Sequence, residues 1–242
     1  MRYLIISDIH ANLVALEAVL ADAPDFTEIW CLGDLVGYGP NPNECIERIQ
    51  EHLHVCLAGN HDWAVLGKLD LRNFNTDARN ANTWTRSELT SESRMYLSKL
   101  PTHMEHEGFY LAHASPREPV WEYILDASIA YTNFSHFSTQ VCLVGHTHVA
   151  IAFELDEQRQ RCETIISPLS TPLELGPNRM IINPGSVGQP RDGDPRASYA
   201  LLDAENMTWE FHRVAYPIEI TQERMRARGL PRRLIERLEM GR

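Results

Sequence analysis

The feature that most restricts the fold is how short apolar runs alternate with stretches of helical period near the N-terminus. Tyr3–Ser7, Glu28–Leu32 and His54–Leu57 have strand length, and the segments between them repeat their apolar residues with a helical spacing. Asn12 can cap a helix whose Leu13, Leu16 and Leu20 fall at i, i+3 and i+7. Asn41-Pro42-Asn43-Glu44 offers an N-cap, a proline at the first helical position and an acid at the third, ahead of Ile46, Ile49 and Leu53. Strand, helix, strand, helix, strand at this spacing requires an α/β fold with parallel pairing.

Beyond the third run, Trp63 to Leu100 is more polar and reads as helical pieces with starts near Asp77 and Ser91, closing at Pro101. Residues 63–100 are therefore expected to form a small helical cap over a site. Phe109–Ala112 and Val141–Val144 are further strands. Ala150–Leu155, Glu163–Ile166, Met180–Ile182, Ser198–Leu202 and Thr208–Val214 read as a more antiparallel second half. Gly229-Leu230-Pro231 divides two helical stretches within 217–242, the last with Leu234, Ile235 and Leu238 on one face. No linker or repeat interrupts the pattern, so 1–242 is expected to be a single domain.

Charge and cysteine usage narrow the partners. Lys and Arg number 22 against 33 Asp and Glu, a net charge of -11 with no dense basic run, so a stable nucleic-acid complex is not expected. Asp8 comes after the first apolar residues too early for a signal peptide, and no apolar run approaches the ~18 residues of a membrane span. Cys31, Cys45, Cys56, Cys142 and Cys162 are odd in number and never form C-x-x-C, the pattern of buried free thiols in a reducing compartment, here the cytoplasm.

The residues with chemistry to offer stand at the C-terminal end of each run. Asp8-Ile9-His10 comes after the first, Gly33-Asp34 after the second and Gly59-Asn60-His61-Asp62 after the third; His113 succeeds Phe109–Ala112, and Gly145-His146-Thr147-His148 succeeds Val141–Val144. Sites in open α/β sheets form beyond the carboxyl ends of strands, so these groups should converge. Oxygen and imidazole donors without thiolate, too many for one tetrahedral zinc, suit two borderline cations sharing a carboxylate. Gly33, Gly59 and Gly145 fit sharp exits from strands.

Each assignment has a plainer competitor. Asp8, Asp34 and Asn60 could be cap or turn residues. A lone histidine such as His113 is more often structural, while His146 and His148 alternate and would share a face on an extended strand. His52, His54, His103, His106, His136 and His212 match no pattern and read as surface or core residues. Arg191 could clamp a phosphate, as could Arg196, although exposed arginines are the commoner case. Trp63, Phe74 and Trp84 could stack a base, but packing is the commoner role of aromatics.

In their fixed order, D-x-H, G-D, G-N-H-D, a single histidine and G-H-T-H resemble the calcineurin-like metallophosphoesterase superfamily from residue 3 to about residue 200. Asn183-Pro184-Gly185-Ser186-Val187-Gly188-Gln189-Pro190-Arg191 is similar to its bacterial phosphodiesterase and diadenosine tetraphosphatase-related branch. The resemblance implies a four-layer αββα sandwich of two mixed sheets flanked by helices. It also implies one divalent ion on Asp8, His10, Asp34 and His148 and a second on Asp34, Asn60, His113 and His146, with Mn2+ favoured and Fe, Zn, Co or Ni admissible. Two such ions lower the pKa of a bridging water and place it for attack on phosphorus. His61 is then free to protonate the leaving oxygen, with Asp62 as the partner that favours its charged form.

One departure bears on substrate. After Gly33-Asp34 the chain reads Leu35-Val36-Gly37-Tyr38-Gly39-Pro40, where phosphoprotein phosphatases carry an acid and an arginine. The leading expectation is hydrolysis of phosphodiester or phosphoanhydride bonds in small phosphorylated substrates, nucleotides among them. A phosphomonoesterase or protein phosphatase is the alternative enzyme. A non-catalytic scaffold on the same fold is the alternative class, since the superfamily includes a retromer subunit.

Overall fold

In β1 (Arg2–Ile6) successive side chains point to opposite faces, and both faces are buried. Leu4 and Ile6 join the apolar cluster that includes Leu16 and Val19 of α1 (Leu13–Asp22) and Ile46 and Ile49 of α2 (Pro42–Gln50). Tyr3 and Ile5 join a different cluster with Leu143, Ile182 and Trp209. A strand buried on both sides must lie between layers. This computed structural model, which describes residues Met1 to Arg242, contains two sheets and helices outside them.

β2 (Glu28–Cys31) and β3 (His54–Cys56) extend β1 in parallel. The other edge of β1 is filled from far along the chain by antiparallel β11 (Ala197–Asp203), and then by β12 (Thr208–Val214). The second sheet pairs β5 (Phe109–Ala112), β6 (Val141–Leu143) and β10 (Arg179–Pro184) in parallel. It is flanked by antiparallel β4 (His103–His106) on one side and by β7 (Ala150–Asp156) and β8 (Arg161–Ile165) on the other. With the short β9 (Leu173–Glu174) beyond β12, the orders are β3-β2-β1-β11-β12-β9 and β4-β5-β6-β10-β7-β8. The sheets meet through Trp30 and Trp209, both fully buried, and burying side chains of this size contributes roughly 1.5–3 kcal/mol each or more. On the outer face of the second sheet, Cys142, Phe153 and Ile181 pack with Ala130 of α6 (Ala127–Asn133). The result is two mixed six-stranded sheets flanked by helices, as the resemblance implied.

Local signals were honoured unevenly. Asn12 Oδ1 accepts from Ala15 N–H at 3.2 Å and caps α1. Asn41 does not cap α2; its side-chain amide donates to Glu44 instead, at 3.0 Å. α3 (Asn60–Val65) starts on the expected G-N-H-D segment, and Asn75 and Thr90 cap α4 (Thr76–Glu88) and α5 (Ser91–Lys99). β4 and α6 carry weak sequence signals: His103-Met104-Glu105-His106 has no apolar run, and α6 is short. At the C-terminus, α7 (Ile218–Ala227) and α8 (Arg232–Glu236) lie either side of Gly229-Leu230-Pro231, and Leu234, Ile235 and Leu238 pack against Tyr38, Ala78 and Ala81. All five cysteines are free; four are buried, and Cys162 is half-buried rather than buried.

Candidate metal centre

The residues beyond β1, β2, β3, β5 and β6 meet at one place. The backbone turns there through left-handed conformations at Asp8, His10, Asp34, His146 and His148, with φ between 48° and 66°. Each such non-glycine residue costs roughly 1–2 kcal/mol, and strain gathered this way persists only where the surroundings enforce it. Here backbone bonds enforce it. Asp8 N–H donates to Gly33 O at 3.0 Å, His10 N–H to Asp34 O at 2.9 Å, and Ser186 Oγ to Asp8 O at 2.8 Å. His146 and His148 therefore do not alternate on an extended strand as expected; they lie in a turn beyond β6. Gly59 and Gly145 also serve a purpose other than the expected sharp exit. A Cβ at Gly59 would lie 2.0 Å from Asp34 Oδ1, and one at Gly145 1.9 Å from Ser7 Oγ, so close approach excludes any side chain.

Two groups of donors result. His10 Nε2 and His148 Nε2 are 3.0 Å apart, and Asp8 Oδ1 is 3.3 Å from His148 Nε2 and 3.8 Å from His10 Nε2. In the second group His113 Nε2 lies 3.2 Å from His146 Nδ1, 3.3 Å from Asn60 Oδ1 and 3.5 Å from Asp34 Oδ2. Asp34 Oδ2 is also 3.6 Å from His10 Nε2, so one carboxylate oxygen adjoins both groups. The ligand atoms of Asp8, His10 and His148, and those of Asp34, His113 and His146, each fall within 4.8 Å of one another; so do those of His10, Asp34 and His61.

Protonation states suit cation binding. Backbone carbonyls of Val36, Leu32 and Gln189 lie 3.2, 2.9 and 2.6 Å from Nδ1 of His10, His113 and His148. A carbonyl can only accept, so Nδ1 carries the hydrogen and Nε2 keeps its lone pair for the centre. Burial lowers the pKa of His10, His113 and His146, and lowers that of His148 to about 4, keeping the rings neutral. Asp8 Oδ1, Asp34 Oδ2 and His146 Nε2 are buried with no hydrogen-bond partner. Such orphaned atoms are costly in a folded protein. Two carboxylate oxygens and imidazole lone pairs facing one another, without thiolate, fit hard-to-borderline divalent cations.

His61 stands beside this cluster. Its backbone N–H donates to Asp34 Oδ1 at 2.8 Å, and its Nδ1 is 2.9 Å from Asn82 Oδ1 on α4. The expected pairing with Asp62 is not made. The Asp62 carboxylate instead accepts backbone N–H groups from Gly59 at 2.9 Å, Val36 at 3.1 Å and Leu35 at 3.3 Å. Burial still raises Asp62 to about 6 against those bonds, and burial takes His61 down to about 3. Asp62 thus braces the Asp34 turn, and Asn82 orients His61.

Arg191 is turned toward the centre. Its Nη2 lies 3.1 Å from Gln189 Oε1 and 3.5 Å from the Tyr38 hydroxyl, and its Nε is buried without a partner. Arg196, in the same loop, is held by Asp194 at 2.6 Å and points elsewhere. Tyr123 stacks on His146 with centroids 3.9 Å apart, while Phe74 meets His61 at 5.3 Å and Trp121 at 5.1 Å. Trp84 packs instead beside the C-terminal helices, and Trp63 lies near Lys68. Sequence reasoning missed Asn82, Tyr123, Trp121 and Gln189 as parts of the site, since none stands at the end of an apolar run.

A two-sheet α/β sandwich with oxygen and imidazole donors gathered at its strand ends defines a metallophosphoesterase class. The chain belongs to the calcineurin-like phosphoesterase superfamily, whose domain matches residues 1–207. It is similar to a metallophosphoesterase from Sphaerobacter thermophilus, with 49% identity, a TM-score of 0.90 and coverage of 100% of this chain and 99% of that one. A hypothetical protein from Pyrococcus horikoshii shares the fold at 21% identity and a TM-score of 0.80, covering 100% of this chain and 98% of that one. An uncharacterised protein of Methanocaldococcus jannaschii is 37% identical over 245 residues, 98% of this chain and 97% of its own length. No helix is long and apolar enough to cross a membrane.

Proposed function

We propose that this protein is a dinuclear-metal phosphoesterase that hydrolyses phosphodiester or phosphoanhydride bonds in small cytoplasmic substrates, nucleotides among them. The observation that carries this reading is the position of Asp34 Oδ2, unpartnered and within 3.6 Å of a ring nitrogen of each donor group. Asp8, His10, Asp34 and His148 would hold one ion, and Asp34, Asn60, His113 and His146 the other. Mn2+ is favoured, with Fe, Zn, Co or Ni compatible with the same donors. When bound, the pair supplies Lewis acidity and an activated water at neutral pH. The chain's own groups do the rest. Arg191 has free donors with which to grip phosphoryl oxygens and orient the substrate. His61 faces the cluster from the side; a phosphoryl anion beside its ring favours the protonated form, which can then give its proton to the leaving oxygen. Asn82 and Phe74 belong to the helical segment 63–100, so that segment acts as a cap which sets the His61 ring.

The test is a screen of metal-free and Mn2+-reconstituted protein against diesters, monoesters, dinucleoside polyphosphates and cyclic nucleotides. Hydrolysis should vanish with a chelator and return with the ion. Full turnover by exhaustively metal-free protein would overturn the reading.

A further inference from the structure

The aromatic rings beside the donor groups form a connected arc. Phe74, in the helical segment 63–100, meets His61 edge to face with centroids 5.3 Å apart and lies 5.1 Å from Trp121. Trp121 lies 6.4 Å from His146, and Tyr123 stacks on that same imidazole at 3.9 Å. The arc runs from His61 to a member of the second donor group. It is built from two distant parts of the chain, the helical segment and the loop between β5 and α6.

Core packing does not account for the loop's rings. Trp121 and Tyr123 are 38% and 41% exposed, and neither belongs to any of the buried apolar clusters. Only one other aromatic ring, Tyr131, is exposed, so two of the three exposed rings stand beside a single small polar site. The loop holds them there. Between them the Glu122 carboxylate turns inward, accepting from Ser115 Oγ at 2.7 Å and Asn133 Nδ2 at 2.9 Å and pairing with Arg117. After them Ile124 is buried beside Ala130 and Phe134. Alternate residues anchor the loop while Trp121 and Tyr123 stay at the surface, so a ligand that stacks there has little of the protein to order. Exposed apolar surface next to convergent polar groups is the usual make-up of a ligand site.

We infer that Trp121 and Phe74 form a stacking subsite for a nucleobase, so that the substrate is a nucleotide or nucleotide ester whose phosphoryl group lies at the donor cluster. The inference rests on the phosphoesterase reading for the place of the phosphoryl group, but the stacking itself does not. A diester with small aliphatic substituents reaches the cluster and leaves both rings in water. Every base has a π-face, so the subsite accepts purines and pyrimidines alike.

Binding decides the subsite without turnover. Calorimetric titration of the metal-free and the Mn2+-loaded protein with AMP and with ribose 5-phosphate compares ligands that differ by the base. The parent should bind AMP roughly tenfold or more tightly, the scale of one base stacked on an aromatic ring. Trp121→Ala should remove that margin, and Trp121→Phe, which keeps a ring, should retain most of it. Tyr131→Ala, which removes an exposed ring from a separate cleft with Phe134 and Arg179, should bind as the parent does. Melting curves report whether the loop tolerates alanine; Trp121→Gln keeps the bulk without the ring if it does not. Equal affinity of the parent for the two ligands, no binding of AMP to either form, or a margin that survives loss of the Trp121 ring overturns the subsite. In the Mn2+-loaded enzyme Trp121→Ala should raise KM for a dinucleoside monophosphate roughly tenfold more than for glycerophosphoethanolamine, a diester without rings; equal losses on both overturn it as well. If the loaded parent hydrolyses no phosphoester or phosphoanhydride, the phosphoesterase reading fails, and the calorimetry still decides the subsite.

Discussion

Asp8 and Asp34 occupy equivalent turns after adjacent strands, with the same left-handed backbone and the same complete burial, yet their electrostatics are opposite. Burial resists ionisation of Asp8, but His148, His113 and His10 outweigh it and hold the carboxyl below the usual carboxylate range. Burial raises Asp34 well above that range, and the nearby carboxylates of Asp62 and Asp8 raise it further, against one bond from His61 N–H. Asp8 lies against rings that compensate its charge once they are protonated in acid. Asp34 sits among like charges, and its ionised form is what a pair of cations would stabilise most. Residue type and depth therefore do not set the role of an acid here; its neighbours do.

The largest effect should come from Asp34→Asn. Activity should fall to the level of chelated protein and elemental analysis should show both ions depleted, whereas Asp8→Asn should lose chiefly one. An Asp34→Asn protein that keeps two ions and normal turnover would erase the distinction. Next is His61→Asn, which should keep its metal yet lose roughly 10² to 10⁴-fold on substrates with alkoxide leaving groups, and far less on nitrophenyl esters. Equal loss on both would remove His61 from the acid role and leave it a positioning residue, whereas emptied metal sites would make it a ligand, as its place near His10 and Asp34 also permits. Asn82→Ala should cost less, roughly 10- to 100-fold in kcat with KM nearly unchanged, since it loosens the ring without removing it. Asn82→Asp should recover part of this and move the pH profile upward, because an anionic partner raises the imidazole pKa; a profile that stays in place would leave Asn82 merely structural.

The smallest effect sharpens the comparison most directly. In metal-free protein the folded pKa of Asp34 lies above its unfolded value, so its ionisation costs stability as pH rises from about 4 toward the folded value. The folded pKa of Asp8 lies below its unfolded value, so Asp8 contributes stability that is present above about pH 4 and lost as pH falls. At pH 7 the melting temperature of metal-free Asp34→Asn should therefore rise and that of Asp8→Asn fall, by roughly 2–4 °C per kcal/mol in a chain of this length. The gap should narrow near pH 4. Shifts of the same sign, or a gap indifferent to pH, would contradict the assigned electrostatics.

What the sequence made legible has a physical boundary. Asp8, Asp34, Asn60, His113 and His146 sit one to four residues beyond apolar runs, so strand periodicity alone placed them at converging ends. Their hydrogen-bond partners were not readable. Asn82 lies mid-helix in α4 and Gln189 in a loop, and only the packing of α4 against α3 and of the loop against His148 gives them a purpose. Adjacency also misled: Asp62 is next to His61 in the chain, but the first turn of α3 sends its carboxylate back to the amides of Gly59, Leu35 and Val36. β4 escaped notice because an edge strand with exposed alternate residues leaves no apolar run.

The placement of β11 against β1 has a consequence for synthesis. The edge of β1 stays unpaired until Ala197–Asp203 emerges, which at ~5–20 residues per second is a delay of roughly 10 to 40 s on the ribosome. Throughout that interval the nascent chain carries the apolar run Tyr3–Ile6 with one open ladder. Truncated chains ending before residue 197 should accordingly stick to one another or to holding chaperones, and a translational pause just before residue 197 should depress the yield of folded protein more than the same pause placed within 217–242.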